Sequence, residues 1–459
     1  MQALSTVSRK ADTSPLTVVL GRFVADVRAE HLPSDVTRAA SLRVLDTLAA
    51  AASGVQQGTH LGLLALLPGD GPSPIWGTAV GRSLRDAVII NSAVSHSTYF
   101  EDGCRYTGGH PSSALIPAAF ALACERGVCG AELVAAIVAG YEVFLRLGRA
   151  IYPSTVERGF QSTAILAAPA TAAAAAVLLR LPADRAAHAI AIACSHGAGL
   201  KMALKNAGSQ PLQVGRSSEG GLLSALYAAQ GADGVPEVIE QGFFKAYAAN
   251  ARADLVTHEL GLEWGIGQTY LKMHGGCRGN HAPVDTAVAL TREYGVVPRD
   301  IVSMDVRVDT VTLAAEVAAP ANADQARFSI AFSIAVRLLK GDAMPARYTD
   351  ATLQDPQVRA LMARIRVSAD TALDAGFPDR RGAVIRVCTT TGNQLEYALD
   401  RALGEPEQPY ANDDVERKFD LTAGTLYGAS ADRIKALAMS LPSLQDVKAL
   451  NDLLQANPT

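Results

Sequence analysis

The sequence predicts a mainly α protein: a large all-helical domain followed by a smaller α+β domain. Three observations carry this expectation. From Leu16 to about Gly261 the apolar residues recur at three- and four-residue spacing, the period of a helix face. After residue 300 the period drops to two in several short segments, the mark of half-buried strands. Hydrophobic residues make up 49% of the chain but aromatics only 5%, because Ala fills tracts such as Ala172 to Ala176. Ala has the best helix propensity and lets helix axes approach closely. At 459 residues the chain also exceeds a single core, which stops growing near roughly 250–300 residues, so two domains are expected.

In chain order, residues 1–15 read as a flexible polar tail without an apolar signal core. Residues 16–267 form the helical domain, with helices expected at Leu16–Ala29, Ser34–Ala52, Ala87–Tyr99, Ala114–Arg126, Gly130–Ile151, Thr163–Leu179, Ala183–Ser195 and Val214–Gln230. Ser34 before Asp35, and Pro182 at the next helix's first turn, are start signals. Gly159 to Leu179 runs 21 residues without a charge, the length of a membrane span. It holds Gln161, Ser162, Thr163 and Pro169, and its apolar content is mostly Ala, so a buried helix is the better reading. Residues 268–400 form the α+β domain, with strands at Val302–Val308, Ala363–Ser368, Ala383–Cys388 and Gln394–Leu399, and a helical stretch over Gln325–Lys340. After the proline-bounded turn Gly404–Pro409, residues 401–459 are helical again and are expected to return to the first domain.

Composition excludes several function classes. With 45 acidic and 41 basic residues the net charge is -4, which fits neither a basic nucleic-acid binder nor an acidic disordered tail. Six cysteines without a CxxC pair argue for a reducing compartment and against a zinc ribbon or disulfide framework. There is no Walker loop, no GxGxxG after a strand and no GxSxG elbow.

Two polar, glycine-rich stretches stand out. The first, His96 to Ser112, gathers His96, Glu101, Asp102, Arg105 and His110 between two helices, as a site loop would. No His pair in it lies at i, i+4, so the spacing builds no helix-borne metal site. The second, Tyr270 to Asp285, carries Lys272, His274, Cys277, Arg278 and His281 at the junction of the two domains, where ligand clefts commonly lie. Lys272 is a base if burial lowers its pKa, and Arg278 can hold a carboxylate in bidentate fashion. A third cluster, Lys201 to Ser218, leads into a helix and includes Gln210, Gln213 and Arg216. Tyr141, on an apolar helix, reads by itself as core. Cys277 has no activating neighbour in sequence.

Taken in order, these pieces resemble the MmgE/PrpD family, whose members include 2-methylcitrate dehydratase, cis-aconitate decarboxylase and iminodisuccinate epimerase. The resemblance runs through Leu45-Asp-Thr47, Asn91 with His96, Phe100-Glu-Asp102, His110-Pro-Ser112, Ala139-Gly-Tyr-Glu-Val143, Gly215-Arg216, Cys277-Arg-Gly-Asn-His281 with Asp285, Phe328-Ser329 and Lys418-Phe419. It implies a helical domain built from both chain ends, an α+β lid, a cytoplasmic homodimer, and an interdomain cleft for a small carboxylate substrate. It also implies no metal, no organic cofactor, no nucleic acid and no membrane. The expected chemistry is removal of a proton or carboxylate beside an activated carbon, which needs an acid, a base and cations for the developing charge. On this resemblance Lys272, His110, Tyr141 and Asp102 are the catalytic candidates, and Arg278, Arg105, Arg216, Gln161, Gln210, Cys277, His281 and Tyr99 the substrate-binding ones.

The chain also departs from the family pattern. Tyr99 stands where an acid is usual, Gly103 about where a Thr falls, Gln161 where dehydratases and decarboxylases have His, and Gln210 and Gln213 where they tend to have Lys and His. Gln transfers no proton near neutral pH. A lyase is therefore the leading expectation. The alternatives are an epimerase using Lys272 and Tyr141, an elimination or cyclisation on a specialised metabolite, and a non-catalytic binder.

Overall fold

The computed structural model describes residues 13–205 and 208–455, so most of the expected N-terminal tail lies outside the described residues. The helical domain contains α1 (Leu16–Asp26), α2 (Ser34–Gln56), α3 (Leu84–His96), α4 (Pro111–Arg126), α5 (Gly130–Ile151), α6 (Ser162–Leu178), α7 (Ala183–Ala193) and α8 (Ser209–Ala229). All eight expected helices are present, Gly130–Ile151 with the expected ends and the other seven shifted at one or both. Ser34 does not cap α2, whose N-cap is Pro33, whereas Ser83 caps α3 by accepting the Asp86 N–H at 3.3 Å. A short apolar helix, Thr59–Leu66, and a two-residue ribbon pairing Ser73–Pro74 with Gly81–Arg82 went unpredicted, being too short to show a period.

The charge-free helix α6 lies at the centre, packed by α4, α5, α7 and α8. All its residues except Val177 are buried, and its small side chains are what let four helices surround it. Among the described residues no helix is long and apolar enough to cross a membrane.

The α+β domain places α9 (His281–Glu293) and α10 (Ile330–Lys340) on one face of a four-stranded sheet. Its strands are β1 (Ile301–Val308), β2 (Ile365–Ala369), β3 (Ala383–Thr389) and β4 (Gln394–Leu399), in the spatial order β2-β1-β3-β4. β1 pairs in parallel with β2, while the β1–β3 and β3–β4 pairs are antiparallel. Met304, Val306, Val308, Ile385 and Val387 point inward, and Asp305 and Arg386 point out, as the period of two requires. The expected helix over Gln325–Lys340 is interrupted: a short turn at Ala323–Ala326 ends, and α10 restarts at Ile330 with Ser329 as its cap.

The chain then crosses back. Helices α11 (Asn412–Tyr427) and α12 (Ala431–Met439) pack on α2, and Val415, Phe419, Ile434 and Leu437 join the helical domain's core. Lys418 enters that core fully buried, donating to Asp46 Oδ1 and to the Phe100 carbonyl, each at 2.6 Å.

Candidate active site

The loop after α3 and the segment before α9 meet through a two-residue antiparallel bridge, Gly103 to Tyr270. Gly103 is needed for this approach: a Cβ there would lie 2.5 Å from the Tyr270 hydroxyl and 2.9 Å from His110 Nδ1. The absence of a side chain at this position is therefore a packing requirement of Tyr270. Around the bridge opens a cleft of about 190 Å³ between the two domains.

Lys272 and His110 both line it. Lys272 is buried, and among the described residues its Nζ donates to one partner, the Tyr99 carbonyl at 2.7 Å. Burial pulls its ammonium down to about 8, with Glu101 opposing. His110 Nδ1 sits 2.5 Å from the Asp102 carbonyl; a carbonyl only accepts, so Nδ1 carries the hydrogen and the Nε2 lone pair is free. Burial, reinforced by Lys272, pushes His110 down to about 3, so the ring is neutral.

Glu101 lies beneath both. Burial would raise its carboxyl, but His96, His110 and Lys272 together hold it at about 2. It bonds His96 Nδ1 at 2.6 Å, and His96 Nε2 faces the amide groups of Gln210 at 2.8 Å and Gln161 at 3.3 Å. The two glutamines thus act on His96: with Nδ1–H given to Glu101, Nε2 accepts from the amides. Gln161 also caps α6 by accepting the Ala164 N–H, and Gln210 accepts the Tyr99 hydroxyl. Tyr99, at φ 54, holds a left-handed backbone, and its ring packs edge-on against Phe328.

The cationic candidates separate. Arg278 lines the cleft, stacks over Tyr270 at 4.4 Å and pairs with Glu405 through Nε and Nη2, while Nη1 is buried without a partner. Arg105 also lines the cleft and pairs with Glu405 and Glu407. Arg216 does not: it sits on the outer face of α8, 59% exposed and paired with Glu219. The expectation that it faces the substrate is corrected, because its helical phase turns it to solvent.

Three further candidates lie outside the cleft lining. Tyr141 is fully buried, outside the cleft lining, and donates to Asp102 Oδ2 at 2.9 Å. Burial and the adjacent Asp102 raise its hydroxyl pKa far above the usual value. Asp102 is likewise behind the wall: its Oδ1 accepts the Ser112 N–H at the start of α4 and its Oδ2 lies 3.5 Å from Arg43. Both hold the loop and do not reach the cleft. His281 is also sealed, with neither ring nitrogen partnered, beside His274, which bonds Asp285 at 2.8 Å. Cys277, Gln161, Gln210 and Tyr99 do line the cleft.

Sequence reading passed over Glu405, Arg381 and Tyr152, which complete the lining from distant segments. Glu405 had one signal, its place in the proline-bounded turn; the other two had none. Among the described residues no group of three His, Cys, Asp or Glu is arranged to hold a metal ion.

The chain matches the MmgE/PrpD N-terminal domain over residues 18–255 and the MmgE/PrpD C-terminal domain over residues 274–442. It belongs to the MmgE/PrpD family. Similar proteins include a cis-aconitate decarboxylase of Aspergillus terreus, 26% identical with 96% of each chain covered. The cis-aconitate decarboxylase-like protein oryM of Aspergillus oryzae is 25% identical, covering 98% of this chain and 99% of that one. The human cis-aconitate decarboxylase is 25% identical, covering 96% and 94%. This MmgE/PrpD chain therefore spans essentially the whole length of its relatives, with its second family domain beginning two residues after Lys272.

Proposed function

We propose that the protein is a lyase of the dehydratase or decarboxylase kind, acting on a small carboxylate-bearing substrate with Lys272 as the proton-transfer group. One observation carries the reading: a buried lysine drawn down to about 8 lines the same cleft as Arg278, whose guanidinium keeps one buried nitrogen, Nη1, without a hydrogen-bond partner among the described residues. A general base is most effective when its pKa lies near the working pH. In this scheme the substrate carboxylate lies against Arg278 Nη1. The Lys272 amine takes the proton from the adjacent carbon, and the electron pair moves into an enolate facing the guanidinium. Collapse of the enolate expels the β-hydroxyl, which leaves as water with the proton from the lysine. In the decarboxylating version the carbon–carbon pair stays with the substrate as CO2 departs, and the Lys272 ammonium supplies the new proton.

His110, neutral and with Nε2 open, serves as hydrogen-bond acceptor for a substrate hydroxyl or acid. An epimerase using Lys272 and Tyr141 has less support, since Tyr141 is committed to Asp102. A cytoplasmic homodimer is part of the proposal, supported by the family resemblance and by an exposed apolar stripe on α8 formed by Leu212, Leu223 and Tyr227; equilibrium sedimentation at twice the chain mass is the expected result.

The test is proton exchange in deuterated water. Candidate di- and tricarboxylic acids should exchange the hydrogen beside the carboxylate with the wild type and not with Lys272→Ala. Tight binding with no exchange for any acid would make the protein a binder instead.

A further inference from the structure

Next to the cleft lies a larger chamber, about 610 Å³, between residues 201–204 of the helical domain and the segment 314–328 of the α+β domain. Lys201, Leu204 and Phe328 line both spaces, so the two are neighbours across a shared wall. We infer that this chamber receives an apolar tail of the substrate, so that the acid acted on carries an alkyl or acyl chain beyond its reacting carboxylate end. The inference rests on reading the cleft as a carboxylate site.

The lining argues for an uncharged occupant. Met202, Leu204, Ala314, Ala315, Val317 and Phe328 supply apolar surface, with Ala314 and Ala315 projecting little into the space. Among the described residues the chamber's charged groups are one cation, Lys201, and two acids, Glu316 and Asp324. With Glu316 partly protonated near neutrality, Lys201 and Asp324 leave the chamber little net charge to hold a second carboxylate, whereas a hydrocarbon chain needs none.

Glu316 is held at the wall by the Ile330 N–H, which donates to Oε2 at 2.9 Å, while Oε1 is sealed without a partner. Burial pushes its carboxyl up to about 7, so near neutrality much of it is uncharged and compatible with an apolar neighbour. A compact tricarboxylate would leave this apolar surface wet. A chain long enough to pass Phe328 would cover it.

Titration calorimetry with succinate, 2-butylsuccinate and 2-octylsuccinate tests the chamber, on wild type and on Ala315→Trp, which fills it from an exposed position. The expected result is affinity rising about threefold to fourfold per buried methylene in the wild type. The series should flatten in Ala315→Trp while proton exchange on the short acid persists. A flat series in the wild type, or an equally steep one in the variant, overturns the inference. Ala314→Phe provides the same obstruction should Ala315→Trp fail to give a cooperative melt. A steep series without exchange on any acid would keep the chamber and sink the lyase reading; exchange with a flat series would do the reverse.

Discussion

Lys272, the proposed proton-transfer group, carries a cost in stability. Its pKa of about 8 in the folded protein, against 10.5 in an unfolded chain, means that the folded state binds fewer protons between those values. Stability therefore rises with pH through that window, and the full penalty is present below pH 8. Lys272→Met should stabilise the protein at pH 7 by about 3 kcal/mol, on the order of 1.4 kcal/mol per pKa unit. Urea melts should find the gain gone above about pH 10.5. In the proposed chemistry only the free amine abstracts a proton, so kcat/KM for exchange should climb about tenfold per pH unit below about 8 and level off above it. Gln210 offers a second residue-scale test. Gln210→Ala removes the amide on His96 Nε2 and the acceptor of Tyr99, and the loss of one such hydrogen bond predicts roughly a fivefold to tenfold fall in kcat, with a smaller change in KM.

At the scale of elements, α6 and α8 are held together by what they lack. Gly221 on α8 packs against the backbone of α6, where a Cβ would lie 2.2 Å from the Ala168 carbonyl oxygen and 2.8 Å from Thr171 Cβ. The nearest atoms belong to a buried helix backbone and cannot swing away. Gly221→Ala should therefore destabilise by about 1–3 kcal/mol despite its better helix propensity, read as a lower denaturation midpoint at unchanged slope. The three-to-four periodicity made all the long helices legible, because a helix burying one face must repeat its apolar residues at that spacing. It was silent on the break before α10, where Ser329 turns to extended backbone just after Arg327, which donates through Nη1 to the Ser97 carbonyl of the other domain. That contact spans 230 residues of sequence, and no local pattern records it.

Across the whole molecule, the C-terminal helices tie the site loop from below. Lys418 grips Asp46 on α2 and the Phe100 carbonyl, one residue after the Tyr99 carbonyl held by Lys272. The loop is thus suspended between lysines from two distant segments. Lys418→Met leaves Asp46 as an uncompensated buried carboxylate, already raised by burial, and should cost about 3–5 kcal/mol. The double variant Asp46→Asn with Lys418→Met should recover much of that loss, since it removes the stranded charge. Melting of the single and double variants in parallel checks this, and full additivity would refute the pairing.

Two-domain architecture, the helical class, the strands after residue 300 and the two chemical stretches were all readable along the chain, since each depends on local periodicity or on residue types close in sequence. Side-chain direction was not. Arg216, Tyr141 and His281 lie in stretches that resemble the family as well as those around Lys272 and His110, yet helical phase and burial carry them away from the cleft. Glu405 and Arg381 enter it from segments more than a hundred residues beyond Lys272. Charge tells the same story. A total of -4 gave no hint of how charge is laid out in the cleft, where Arg105 and Arg278 are largely neutralised by Glu405 and Glu407 while Lys201, Arg381 and the desolvated Lys272 line the same space. A pKa or an unpaired donor is a property of surroundings in three dimensions, and only the packing of distant segments around a residue creates it.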